Sequence, residues 1–97
     1  MDSFQIVEYE SSDIDAVRRI ASERSFDEGD AQPSPVVVLK DRDRPDAYAT
    51  KLQFDSYEDA MRHSEAASTY ALSERLAPYT TGKRRFCNLD VVEEAQR

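Results

Sequence analysis

A single cysteine, Cys87, rules out an internal disulfide, and a single histidine, His63, rules out a histidine-rich metal site. With so little thiol and no oxidative cross-link, a cytoplasmic protein is the simplest reading. No apolar run approaches the roughly 20 residues a membrane-spanning helix requires, and Met1-Asp2-Ser3-Phe4 lacks the core of a signal peptide. Positive charge is also scarce. Thirteen Lys and Arg stand against twenty Asp and Glu, a net charge of −7. That balance disfavours a nucleic-acid partner, because the chain repels a phosphate backbone and has few contacts from which to release counterions. Lys83-Arg84-Arg85 is the one basic cluster, and three cations beside a turn read as a solvated face.

What is present is a clear order of patterns over 97 residues, enough for one small domain spanning 1–97. Phe4–Tyr9 reads as extended. Ser12-Asp13-Ile14-Asp15 carries a serine three residues ahead of a carboxylate, a capping-box pattern, and opens a helix over Ile14–Glu23. Ile14, Val17 and Ala21 recur at helical spacing there, with Ala16 and Ile20 widening the stripe. Ser25–Ser34, with Gly29 and Pro33 and little apolar content, reads as a loop. Pro35–Lys40 and Ala47–Phe54 form a strand pair around the turn Asp41–Asp46, whose spacing lacks the glycine and terminal glutamate of a calcium loop. Val36-Val37-Val38-Leu39 does not alternate, which argues for burial on both faces.

Ser56-Tyr57-Glu58-Asp59 repeats the capping pattern and opens a second helix, Tyr57–Tyr79. Its inward face is poor in large aliphatics around Ser64–Ser68, so a bend or a gap beneath the helix is expected there. Pro78 and Gly82 end it. Phe86–Val92 is extended again, with Cys87, Leu89 and Val91 on one side and Phe86, Asn88, Asp90 and Val92 on the other, before a polar tail at Glu93–Arg97. The order βαββαβ predicts an α+β, ferredoxin-like fold: a four-stranded antiparallel sheet with two helices on one face. The helices cover only that face, so the apolar residues on the other predict a homodimer closed sheet to sheet.

Phe54-Asp55-Ser56-Tyr57-Glu58-Asp59-Ala60-Met61 and Phe86-Cys87-Asn88-Leu89-Asp90-Val91, set in this order of elements, resemble small proteins of the dimeric α/β-barrel superfamily. The likeness is to small actinobacterial-type members near the antibiotic-biosynthesis monooxygenase group, and it covers nearly the whole chain. It implies a ligand cavity between sheet and helices. The superfamily spans cofactor-free monooxygenases, haem-degrading enzymes, isomerases, cyclases and members with no known activity, so the fold alone does not name the chemistry. Haem-degrading members carry a tryptophan and a haem-ligating histidine on the helical segment. Here there is no tryptophan, Met61 falls near its place, and the histidine's place falls near Ala71–Ser73. The resemblance therefore disfavours haem degradation and implies a protein working without cofactor or metal; cofactor-free monooxygenases of this fold let an electron-rich phenolic substrate activate oxygen and need only positioning and proton transfer.

His63 is the candidate catalytic residue, a proton shuttle near neutral pH; as a helix residue beside Arg62 and Glu65 it equally reads as partly exposed and structural. Tyr70, Tyr48 and Asn88 are candidate substrate-binding residues. The tyrosines offer hydroxyls to a phenolic or carbonyl ligand, or are amphipathic residues at the core's edge. Asn88, among apolar neighbours, bonds either a ligand or nearby backbone. Cys87 reads as a small buried hydrophobe, since no cation flanks it closely on its own strand face. Two functions follow: a monooxygenase-like or isomerase/cyclase-like enzyme on an aromatic or polyketide-type molecule, or a non-catalytic ligand-binding or interaction module.

Overall fold

The two-residue period of a strand lays Ser3, Gln5 and Tyr9 on one face of the first strand, and all three are buried. In the computed structural model, which describes residues 2–95, this strand is β1 (Ser3–Glu10). It is followed by α1 (Ile14–Ser22), β2 (Val36–Lys40), β3 (Ala47–Phe54), α2 (Tyr57–Glu65), α3 (Ala67–Leu76), a 3-10 turn (Ala77–Tyr79) and β4 (Thr81–Asp90). The sheet order is β2-β3-β1-β4, antiparallel throughout. This is the predicted ferredoxin-like α+β architecture, with three helices rather than two on one face. The tail expected over Glu93–Arg97 lies partly outside the described residues.

Helix α1 begins because the Asp13 carboxylate accepts the Ala16 amide at 3.1 Å. The cap is thus Asp13, not the Ser12 expected, and Ser11 steadies it by accepting the Asp13 N–H at 3.0 Å. Ala16, Val17 and Ile20 are the buried stripe. At α2 the sequence pattern holds: Ser56 accepts the Asp59 N–H at 3.1 Å. Asp59 does not reach back, however; its carboxylate takes Arg62 at 2.8 Å instead.

The long helix predicted over Tyr57–Tyr79 is divided. Ala66 is extended, at φ −69° and ψ 143°, and no side chain caps α3. The aliphatic-poor stretch at Ser64–Ser68 is where the break falls.

Strand β4 starts at Thr81, five residues ahead of the expected Phe86. A register shift opposite Glu8 and Glu10 and a positive φ of 70° at Gly82 let the chain enter the sheet early. The Lys83–Arg85 cluster consequently lies in a strand rather than beside a turn. Arg85 reaches Glu8 across the ladder at 3.2 Å, while Arg84 takes the helix side. Strand β2 corrects a second expectation. It is a sheet edge, and Val36, Val37, Val38 and Leu39 are all exposed in the single chain, Val36 by 51%. Strand alternation sends Val36 and Val38 to the helix side and Val37 and Leu39 to the open face, which Phe4, Ile6, Cys87 and Leu89 share.

Ser11 ties the seam between β1, α1 and the 3-10 turn. It is 1% exposed and donates to the Tyr79 carbonyl at 2.6 Å while accepting from Asp13. Ser11→Ala removes the hydroxyl that serves both the Tyr79 carbonyl and the Asp13 amide, and is expected to cost about 0.5–1.5 kcal/mol in urea denaturation at fixed protein concentration.

Candidate functional site

Because α3 is turned away at Ala66, it leans on α1 and α2 instead of pressing on the sheet. The gap left beneath it is a cavity of about 900 Å3. Val7, Leu52, Val38 and Phe86 form its sheet-side wall, and Val17, Met61, Leu72 and Leu76 the helical one. This is the thinly packed region that the sequence marks around Ser64–Ser68. Its size is within the roughly 300–1,000 Å3 usual for a small-molecule site.

The polar groups gather at two places. Gln5, buried in β1, donates through Nε2 to Ser64 Oγ on α2 at 2.8 Å and to Asn88 Oδ1 on β4 at 3.2 Å. With its oxygen thus engaged, Asn88 has its amide donors left for the cavity. The second place is a chain of side chains that begins on the loop after α1. Asp30 accepts from Ser68 Oγ at 2.6 Å, and the Arg24 Nη2 donates to Ser68 and Thr69. Arg24 Nη1 lies 2.8 Å from His63 Nε2, and its guanidinium covers the Phe26 ring at 4.2 Å.

A guanidinium only donates, so His63 Nε2 must be the acceptor and the ring proton must sit on Nδ1. His63 is therefore a neutral imidazole. It is 3% exposed and tilted against Phe54 with ring centres 5.1 Å apart. Burial, and then the Arg24 charge, push its pKa down to about 4 from an ordinary 6.5, against a weaker upward pull from Asp30. The Ser68 hydrogen bond, foremost, holds the Asp30 carboxyl below its usual range. Two buried donors, His63 Nδ1 and Arg24 Nε, have no hydrogen-bond partner among the described residues.

Of the four candidate residues, His63, Asn88 and Tyr70 line this one cavity and Tyr48 does not. Tyr70 stands at the rim, 69% exposed, its phenol pushed up by a hydrogen bond to Glu74 and by that carboxylate's charge. Tyr48 stacks on Tyr9 at the other end of the sheet, beneath Lys40, in a separate shallow cleft with Glu10 and Arg44. Arg24, Gln5 and Tyr9, whose hydroxyl meets Thr50 at 3.0 Å, were not singled out by sequence reasoning. Gln5 and Tyr9 share the alternating face of β1 with Val7, a signal that was there to follow. Arg24 follows the last turn of α1, where no periodicity marks it. Cys87 is half-buried on the open face. Among the described residues, no three His, Cys, Asp or Glu side chains converge as metal ligands, and no helix is long and apolar enough to cross a membrane.

No family model matches the sequence, and no curated relative matches it either. Solved structures do. SnoaB, a cofactor-independent oxygenase from Streptomyces nogalater, superposes with a TM-score of 0.73 at 10% identity, over 99% of this chain and 98% of its own. A Caulobacter crescentus protein assigned to the antibiotic biosynthesis monooxygenases gives 0.76 at 10% identity, over 95% of this chain and 91% of that one. A Nitrosomonas europaea protein with the same assignment gives 0.73 at 14%, over 94% and 90%. The fold is that of the antibiotic biosynthesis monooxygenase proteins. At such identities the likeness transfers the architecture and leaves each side chain's role to be argued from its own surroundings.

One consequence is measurable on the lone histidine. Between pH 6.5 and 4 the unfolded chain takes up a proton that folded His63 refuses, so stability rises with pH across that window. The contribution is complete above about 6.5 and is lost as pH falls through about 4, a difference of roughly 3 kcal/mol. Ring 15N NMR is expected to show an Nδ1–H tautomer at pH 7 titrating near 4, and His63→Phe to flatten the stability profile between pH 6.5 and 4.

Proposed function

We propose that this protein is a homodimeric small-molecule-binding α/β-barrel protein that acts as a cofactor-independent, monooxygenase-like enzyme on an aromatic or polyketide-type substrate. The observation that carries this reading is the cavity: about 900 Å3, walled by aliphatic and aromatic side chains, with the site's only imidazole at one end. The oxygenase fold of SnoaB supports it.

An electron-rich phenolic substrate can itself reduce oxygen. Overall, one ring methylene and one dioxygen give one ring carbonyl and one water. The substrate carbon loses two hydrogens, one oxygen atom enters the carbonyl, and the other leaves as water. The protein's task is then to orient the ring, exclude bulk water and move a proton. The Asn88 amide, fixed by Gln5, and the Tyr70 hydroxyl at the rim orient oxygen substituents. His63 receives the substrate proton at Nε2 once Arg24 turns from that nitrogen to the substrate oxygen on which negative charge develops, where a guanidinium is most effective.

The Arg24–His63 contact also favours a second reading, a binding module without turnover, because the one imidazole is already engaged and has a depressed pKa. Oxygen uptake with 1,8-dihydroxy-9-anthrone separates the two. The enzyme reading expects one dioxygen consumed per anthraquinone formed, above the enzyme-free rate, and a fall of about 10²–10⁴-fold in His63→Ala. Binding without uptake selects the module, and full turnover in His63→Ala removes the proton-transfer role.

The dimer reading rests on the open face of the sheet. Ile6 of the central strand β1, with Val37, Leu39 and Leu89, makes that face apolar, and Leu39 and Leu89 are 45% and 47% exposed. Sedimentation is expected to show a dimer that Ile6→Lys dissociates. A stable wild-type monomer at micromolar concentration would defeat this part of the proposal.

A further inference from the structure

The charge of the cavity runs against the charge of the chain. In a protein of net charge −7, Arg18, Arg24 and Arg84 line the cavity and no aspartate or glutamate does. Arg18 is a rim residue, mostly exposed and paired with Asp15 at 3.7 Å. The other two differ. Neither Arg24 nor Arg84 is in an ion pair among the described residues, and both are half-buried. Arg24 is linked to the nearest carboxylate, Asp30, only through the Ser68 hydroxyl, and its other immediate partners are neutral: Thr69, His63 and the Phe26 ring. Its buried Nε–H has no acceptor among the described residues. Arg84 extends from the face of β4 that also carries Phe86 and Asn88.

A half-buried guanidinium without a direct ion pair, its Asp30 counter-charge held off behind Ser68 in the case of Arg24, recovers only part of the hydration it loses, and a ligand anion is the group that completes it. A neutral ligand would displace water from both arginines and return only the weaker hydrogen bonds of an uncharged acceptor. A cationic one would meet repulsion and no carboxylate. We infer that the natural ligand of the cavity is an amphipathic anion, an aromatic or fused-ring body bearing a carboxylate or an ionised phenol, with the ring against Val38, Leu52 and Phe86 and the charge on Arg24, supported by Arg84. The inference rests on the small-molecule reading above and narrows its substrate class. It also fits the neutrality of His63: an imidazolium beside Arg24 would be a second cation, whereas a neutral ring leaves Arg24 the principal charge at that end.

Isothermal titration with four naphthalene probes of similar shape tests it: 2-naphthoate, 4-nitro-1-naphtholate, the neutral 2-naphthamide and the cationic 2-naphthylmethylammonium, at pH 7.5. At least one anion is expected to bind about tenfold or more tighter than the amide, with the ammonium weakest, and the preferred anion tells carboxylate from phenolate. Arg24→Gln should bring the ratio of anion to amide affinity close to one, whatever it does to binding as a whole, and Arg84→Gln should lower that ratio less. Should Arg24→Gln fail to fold, the wild-type ranking and Arg84→Gln decide. An amide that binds as tightly as both anions, or an ammonium that binds best, overturns the anion assignment while leaving a small-molecule site intact. Binding of none of the four overturns both.

Discussion

The departure of the chain from helical geometry at Ala66 is the constraint on which the site depends. Were Tyr57–Tyr79 one straight helix, its second half would continue along the sheet, and its small residues would bring it down onto β1 and β4. The extended residue instead swings α3 onto α1 and α2, leaving Val7, Leu52 and Phe86 without a helical cover. The break is flanked by tertiary hydrogen bonds. Ser64 is drawn toward the sheet by Gln5, Ser68 toward the loop by Asp30, and Thr69 toward Arg24. The three hydroxyl-bearing residues on either side of Ala66 are thus bonded to strand β1 and to the loop after α1.

The same hydroxyls connect the break to the electrostatics of the cavity. Ser68 and Thr69 hold one side of the Arg24 guanidinium, and His63, from the last turn of α2, holds another. Arg24 therefore spans the two helices on either side of the break and fixes the angle between them. One group determines both the shape of the gap and the charge within it. A ligand that drew Arg24 away would release His63 Nε2 and the Ser68 and Thr69 hydroxyls together, because one guanidinium holds all three.

Much of the fold was legible because its signals are local. Alternation in β1 and β3, the Ser56 cap and the stripe on α1 each speak from within a few residues, and the βαββαβ order then restricts the topology. The mistakes have a common origin in partners distant in sequence. Val36–Leu39 resembles a central strand by composition, yet it is the pairing order β2-β3-β1-β4 that makes it an edge. Thr81–Arg85 resembles a solvated turn, yet opposite Glu8 and Glu10 it can pair, with Gly82 absorbing the irregularity. The site was legible to a similar depth. His63 and the thin face beside it are visible on one helix. Arg24 is 39 residues away from His63 in sequence, and nothing in its own neighbourhood announces it.

The apolar edge strand also explains why the two faces of the sheet belong to one problem. Val36 and Val38 look into the cavity while Val37 and Leu39 look to the open face, and all four are exposed in a single chain. An edge of this composition, five residues long with only Lys40 as a charge, invites pairing or covering. A second copy laid over the open face would shield Val37 and Leu39 but not Val36 and Val38. Those two are covered only by what enters the cavity. An apolar ligand body against Val38 would complete the burial that a second copy would begin, which favours, for the proposed ligand, a ring carrying an anion over a bare anion.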